Sequence, residues 1–266
     1  MSTAQPQASN VSAVSPLRPA AATNPATRPA LSDALRATVA AKAAAALELL
    51  RAASAELGSA GELAFANSFG AEDMVLTDLI LRHALPIEIF SLDTGRLPAE
   101  TYTLMAEVEA RYATRLKVFF PQADQVEAYV RSYGINAFRD AVDLRKACCA
   151  VRKMEPLARA LTGKKGWITG LRAAQSVTRS GLALREFDHA NGLEKFNPLA
   201  DWTEAEVWAY IRINDVPYNA LHDQFYPSIG CAPCTRAVAL GEDVRAGRWW
   251  WENPETKECG LHVRKG

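Results

Sequence analysis

Short apolar runs alternate with amphipathic stretches along most of this chain, and that alternation constrains its fold more than any other feature. Runs at 63–66, 87–90, 116–120 and 167–169 are too short for helices and read as buried strands. Helical spacing fills 71–83, 98–113, 122–133, 145–161 and 203–213. Before the first run, Ser32 stands where it can cap a helix carrying Leu35, Val39, Leu47, Leu50 and Leu57 on its apolar side. Parallel strands need long crossovers, usually helical, so this order predicts an α/β protein with a parallel sheet covered by helices on both faces. In such sheets ligands sit at the carboxyl ends of the strands. The question of function therefore narrows to the loops that follow each strand.

The first of these loops reads Asn67-Ser68-Phe69-Gly70-Ala71-Glu72-Asp73, and the second Ser91-Leu92-Asp93-Thr94-Gly95-Arg96. The loop after the fourth run starts at Gly170 and carries Arg172 and Arg179. Gly70 allows close backbone approach, and the helix behind it turns its first amides toward an anion. Taken singly, each loop reads better as a tight turn that caps the next helix. Three at consecutive strand ends, each placing Gly or Arg where a ligand would lie, point to a nucleotide-like anion.

The five cysteines divide into an adjacent pair, Cys148 and Cys149, a Cys231-x-x-Cys234 pair, and the isolated Cys259. With no export signal in the sequence, metal ligation or catalysis is expected rather than a disulfide framework. Four thiolates suit zinc or an iron–sulfur centre. Neighbouring helical residues point about 100° apart, an awkward bite for one tetrahedral ion, whereas a cubane offers separate corners. Lys153 follows Cys149 by one helical turn, where it can offset the charge of a thiolate-ligated centre or reach a bound anion. Cys259 lies in a polar segment near the terminus, with Lys257, His262 and Arg264 able to favour its thiolate. An attacking nucleophile and an incidental exposed thiol fit that spacing equally.

The rest of the chain sets bounds. Residues 1–31 are rich in Ala, Pro, Ser and Thr, have no acidic side chain, and read as disordered. Arginines without acids also suit an organellar transit peptide, but the prolines at 16, 19, 25 and 29 spoil an amphipathic helix. Thirty basic side chains balance thirty acidic ones, so no global field favours nucleic acid or an anionic membrane. No apolar run reaches the roughly 18 residues of a membrane span, and a cytoplasmic protein is expected.

The combination of Cys-Cys with Cys-x-x-Cys, the Leu-Asp-Thr-Gly-Arg loop, Trp-Ile-Thr-Gly and the terminal Glu-Cys-Gly-Leu-His resembles the sulfonucleotide reductases. It is most similar to the cluster-bearing adenylyl-sulfate reductases of assimilatory sulfate reduction, from about residue 60 onward. The resemblance implies an adenine-nucleotide α-hydrolase-like fold related to the PP-loop enzymes. It implies a [4Fe–4S] cluster on Cys148, Cys149, Cys231 and Cys234, and a nucleophilic Cys259 that forms an S-sulfocysteine. It places Ser68, Gly70, Leu92, Lys153, Gly170, Arg179, Arg245, Arg248 and His262 at substrate-binding positions. The implied organisation is a disordered 1–31, a nucleotide- and cluster-binding domain over 32–240, and a mobile C-terminal segment over 241–266. The implied partners are adenylyl sulfate, AMP and a thioredoxin or glutaredoxin-like dithiol, with a homo-oligomer possible. No fused redoxin domain is expected after Cys259, so the reductant is expected to be external. The first loop departs from the Ser-Gly-Gly-x-Asp-Ser of ATP-splitting relatives, which disfavours ATP hydrolysis, and Phe69 interrupts the Ser-Gly-Ala-Glu-Asp of some members. Three other readings stay open: a reductase of the 3′-phosphorylated substrate, or one accepting both; a PP-loop adenylating enzyme with structural zinc; and a metal-stabilised binding protein.

Overall fold

A computed structural model of the chain describes residues 30–57, 61–175 and 181–253. Residues 1–29 of the N-terminal segment expected to be disordered, together with Arg179, Cys259 and His262, lie outside the described residues, whereas Leu31 packs against the core. Six strands form one sheet: β1 Leu63–Ala66, β2 Glu88–Leu92, β3 Lys117–Phe119, β4 Gly166–Ile168, β5 Arg185–Asp188 and β6 Leu193–Phe196. Their order is β3-β2-β1-β4-β6-β5, parallel except for the β5–β6 pair. The order reverses between β1 and β4, which opens a crevice at their carboxyl ends.

Side chains alternate across this sheet as the pleat requires. Leu63 and Phe65 of β1 and Ile168 of β4 join the main core with α1 (Asp33–Leu57), α2 (Ala71–Arg82), α3 (Ala99–Tyr112) and α7 (Glu204–Asn214). Ala64, Phe90 and Trp167 face the other way and pack against Leu157, Ala160 and Leu161 of α6 (Glu155–Leu161). Helices thus cover both faces, as the alternation predicts. Ser32 caps α1 through its hydroxyl, which accepts from the Leu35 amide at 3.2 Å. On the main face, the fully buried Asp78 of α2 accepts from Tyr112 of α3 (2.8 Å), Tyr210 of α7 (2.7 Å) and Arg82 (2.9 Å). Three helices are thereby held in register by one satisfied carboxylate.

Two expectations are corrected. The stretch 145–161 is helical throughout but not uniformly wound: α5 (Val142–Cys149) leads into a π-helical turn at Ala150–Met154 and then into α6, with Pro156 near the start of α6. The sheet also carries a hairpin, β5–β6, that the apolar pattern does not reveal. The remaining helix, α4 (Ala123–Tyr133), lies beside α5 and the π turn.

Candidate nucleotide cleft and cysteine cavity

A cleft of about 290 Å³ opens at the reversal of strand order, where the loops after β1, β2 and β4 meet. Ser68, Gly70, Leu92, Lys153, Gly170, Arg245 and Arg248 all line it. Of the nine substrate-binding candidates, only Arg179 and His262 are missing from this list, and both lie outside the described residues.

Asp73, on the first turn of α2, holds the two lips of the crevice together. Its Oδ2 accepts from both the amide and the hydroxyl of Ser68, each at 2.6 Å, and the Gly170 amide also donates to it. The approach is close enough to dictate glycine: a Cβ at residue 170 would lie 2.1 Å from the Asp73 Oδ1. Phe69 does not displace the serine. It turns away into the main core at 1% exposed, in the left-handed region at φ 61°, with its amide held by Asn67 Oδ1 at 2.7 Å.

Burial pushes the Asp73 carboxyl up to about 7, against the Ser68 and Gly170 hydrogen bonds that favour its charge, with Glu72 adding to the rise. A folded-state value above the unfolded one means that the protonated form favours folding. This contribution is present below about pH 4 and is lost as the pH rises through about 7. The stability of Asp73→Asn is therefore expected to fall less than that of the wild type between pH 5 and 7.5. Denaturant midpoints across that range read the slope, whatever constant offset the substitution adds, and parallel slopes would refute the assignment.

The cysteines from the two distant pairs share a second, smaller cavity. Cys149 and Cys231 are buried, and Cys148 and Cys234 half-buried. Arg96, Arg145, Arg152 and Lys153 also line this cavity. Thr94 ties it to the β2 end: its hydroxyl lies 3.2 Å from Cys231 Sγ, and its carbonyl accepts from Arg152 at 2.6 Å. Burial raises the Cys231 thiol, but Lys153, the Thr94 hydroxyl, Arg248 and Arg152 outweigh it and hold the group below the usual thiol range. Among the described residues, no three Cys, His, Asp or Glu side chains converge to hold a single metal ion. The donor set suits a larger thiolate-ligated centre of net negative charge. Four cations ring the sulfurs, and the buried Nε1–H of Trp249, also in the wall, has no partner among the described residues and could donate to a sulfur acceptor.

The two cavities share a wall made of Lys153, Cys231 and Trp249. Arg248 is buried here and lies over the Trp249 ring at 4.6 Å, so close to the backbone that a Cβ at Gly230 would meet its guanidinium at 2.3 Å. Arg245 and Arg248 do not share a helical face; they occupy a turn in which the Arg248 amide donates to the Arg245 carbonyl at 2.9 Å. Further along, Glu252 reaches back to Arg145 of α5, three residues before Cys148. The contact is bidentate, at 2.7 and 2.9 Å, and nearly inaccessible on both sides. Sequence reasoning missed Asp73, Thr94, Arg145, Trp249 and Glu252. Asp73 and Thr94 stood in the quoted loops without a role, and Arg145 offered a signal as a cation one helical turn from a cysteine.

A doubly wound sheet with a cation-lined cleft at its switch point is the architecture of an adenine-nucleotide α-hydrolase-like protein. The sequence model of the family described as "Phosphoadenosine phosphosulfate reductase domain" matches residues 62–237. The chain belongs to that family. It is 62% identical over 228 residues to an adenosine 5′-phosphosulfate reductase of Allochromatium vinosum, covering 86% of this chain and 88% of the relative. It is 55% identical over 221 residues to the enzyme of the same name from Burkholderia cepacia, covering 83% and 88%. A phosphoadenylyl-sulfate reductase from Candida auris, solved as a phosphate complex, superposes with a TM-score of 0.62 at 29% identity, covering 79% of this chain and 99% of that one. The FMN adenylyltransferase of Candida glabrata, at a TM-score of 0.54 and 17% identity, shares the fold.

Proposed function

We propose that this protein reduces adenylyl sulfate to sulfite and AMP, with Cys259 as nucleophile and a dithiol protein of the thioredoxin type as reductant. The observation that carries the reading is the shared wall: four cysteines gathered from distant segments abut a cation-lined nucleotide cleft. The high identity to relatives named for this activity supports the same substrate.

The cleft orients an anhydride of phosphate and sulfate, with Lys153, Arg245 and Arg248 neutralising its oxygens. The Cys259 thiolate attacks the sulfate sulfur. A sulfur–sulfur bond forms as the sulfur–oxygen bond breaks, and AMP leaves with the electron pair. A thiolate of the carrier then attacks Cys259 Sγ, and sulfite departs with the bonding pair. The carrier's second thiol resolves the mixed disulfide, so the carrier ends oxidised and Cys259 ends as a thiol. Both electrons come from the dithiol. A [4Fe–4S] cluster on Cys148, Cys149, Cys231 and Cys234 would supply fixed negative charge beside Lys153 and join the two cysteine segments.

Sulfite release from adenylyl sulfate and from its 3′-phosphorylated form, measured on iron-loaded protein with thioredoxin, tests the function. Strong preference for the unphosphorylated nucleotide is expected, and failure to turn over either would overturn the reading. Replacing any one of the four paired cysteines by serine is expected to lower iron content and visible absorbance together with activity. Full iron content in two such variants would exclude the four-thiolate assignment. For the cleft, Arg245→Ala is expected to weaken AMP binding by roughly 10- to 100-fold, the worth of a charge-assisted contact. Titration calorimetry would read it, and wild-type affinity would remove Arg245 from the pocket.

A further inference from the structure

His222 lines the cleft, and two contacts hold its ring in place. Its Nδ1 lies 2.9 Å from the Tyr226 carbonyl oxygen. A carbonyl can only accept, so Nδ1 carries the proton, and in the neutral ring Nε2 is left with a bare lone pair. The imidazole meets Trp208 edge to face at 5.1 Å, and Trp208 is itself edge-on to Tyr218 at 5.2 Å. The backbone beneath is equally fixed. Buried Asn219 accepts from the Leu221 amide at 3.1 Å and donates to Thr101 at 3.0 Å. The ring therefore cannot turn to satisfy its second nitrogen without breaking its first contact.

That second nitrogen is buried and has no hydrogen-bond partner among the described residues. Buried acceptors are nearly always satisfied, so one left open in the wall of a binding cleft calls for a donor from the ligand. The surroundings agree on the sign. The carboxylates of Glu72, Glu204 and Asp223 lie near His222, yet burial outweighs them and keeps the ring below the ordinary histidine range, hence neutral. This part of the cleft offers acceptors, whereas the cation Lys153 stands at the wall shared with the cysteine cavity.

We infer that His222 is a nucleotide-recognising residue whose Nε2 accepts a hydrogen bond from a neutral donor of the bound nucleotide, a sugar hydroxyl or the amine of the base. The inference rests on the nucleotide-reductase reading and adds to it a contact that discriminates among nucleotides. An anionic group placed against the same nitrogen would find no proton to accept, so His222 would select against a phosphate there.

The test uses full-length protein and four probes: AMP, its 2′-deoxy and 3′-deoxy forms, and inosine monophosphate, which lacks the amine. The wild type is expected to bind one analogue about 10-fold or more weakly than AMP. His222→Phe, which keeps an aromatic ring but no acceptor, is expected to lose a similar factor for AMP and nothing further for that one analogue. His222→Gln, which restores an acceptor oxygen and a donor for the Tyr226 carbonyl, should recover most of the affinity. Equal wild-type affinity for all four probes would overturn the inference however the variants fold. So would an unchanged AMP affinity in His222→Phe, or an equal loss on every probe. Failure of the wild type to bind AMP at all would instead count against the function proposed above.

Discussion

Cys259→Ser is expected to reduce sulfite release by about ten-thousand-fold or more, while AMP affinity and iron content remain at wild-type values. A serine hydroxyl is almost wholly protonated near neutrality and is a poor nucleophile toward sulfur. It also cannot form the sulfur–sulfur bond from which a dithiol releases sulfite. The separation of effects is the informative part. Among the described residues, the two cysteine pairs gather in one cavity and the cleft is lined by segments other than the one that carries Cys259. Sulfite release measured beside AMP binding and visible absorbance resolves the roles. Loss of the absorbance in this variant would move Cys259 into the metal site, and retained turnover would remove it from the chemistry.

Glu252→Ala is expected to lower the free energy of unfolding by about 3–5 kcal/mol, among the largest effects available to a single substitution here. Arg145 is 1% exposed at its side chain and Glu252 3%, and their two contacts at 2.7 and 2.9 Å use both carboxylate oxygens. Arg145 also lies over the Trp249 ring at 4.7 Å. Removing the carboxylate leaves a guanidinium in a site that water does not reach. The double variant Arg145→Met with Glu252→Leu is expected to recover much of the loss, because the penalty lies in the stranded charge rather than in the missing attraction. Denaturant unfolding of the three proteins checks this. A single-variant loss below about 1 kcal/mol would show that solvent reaches the site. The same variant is expected to lose iron, since Arg145 lies on α5, which ends in Cys149 and packs into the cysteine cavity.

Most of the parallel part of the fold was legible because β1 and β4 are almost wholly buried, and β2 and β3 still read as short apolar runs. The hairpin was not, for an equally physical reason. Arg185–Asp188 is an edge strand with alternate residues in solvent, and Leu193–Phe196 carries two charged residues in four. One of these, Lys195, is buried only because Glu186 pairs with it at 3.2 Å and the Trp167 ring lies beneath it. Such charges look like a loop until a partner strand is known. The loops of the cleft were legible because their polar and glycine residues follow strands directly. The role of Asp73 was not legible because one carboxylate at a helix start is an ordinary capping feature, and its reach to Gly170 is purely tertiary. Glu252 had no local signal, as its partner precedes it by more than a hundred positions.

The π turn at Ala150–Met154 makes the length of this helix a coded quantity. One surplus residue in the winding lets Cys148 and Cys149 face one chamber while Arg152 reaches the Thr94 carbonyl and Lys153 touches both chambers. Deleting one residue there would let the backbone relax to ordinary α winding, a change that costs a helix little. It would also turn everything downstream by about 100° relative to the cysteines, taking Lys153 off the common partition. The segment therefore works as a phase shifter, tolerant of many side chains but intolerant of any change in residue count. Insertions and deletions, more than substitutions, are what this stretch of the chain should refuse.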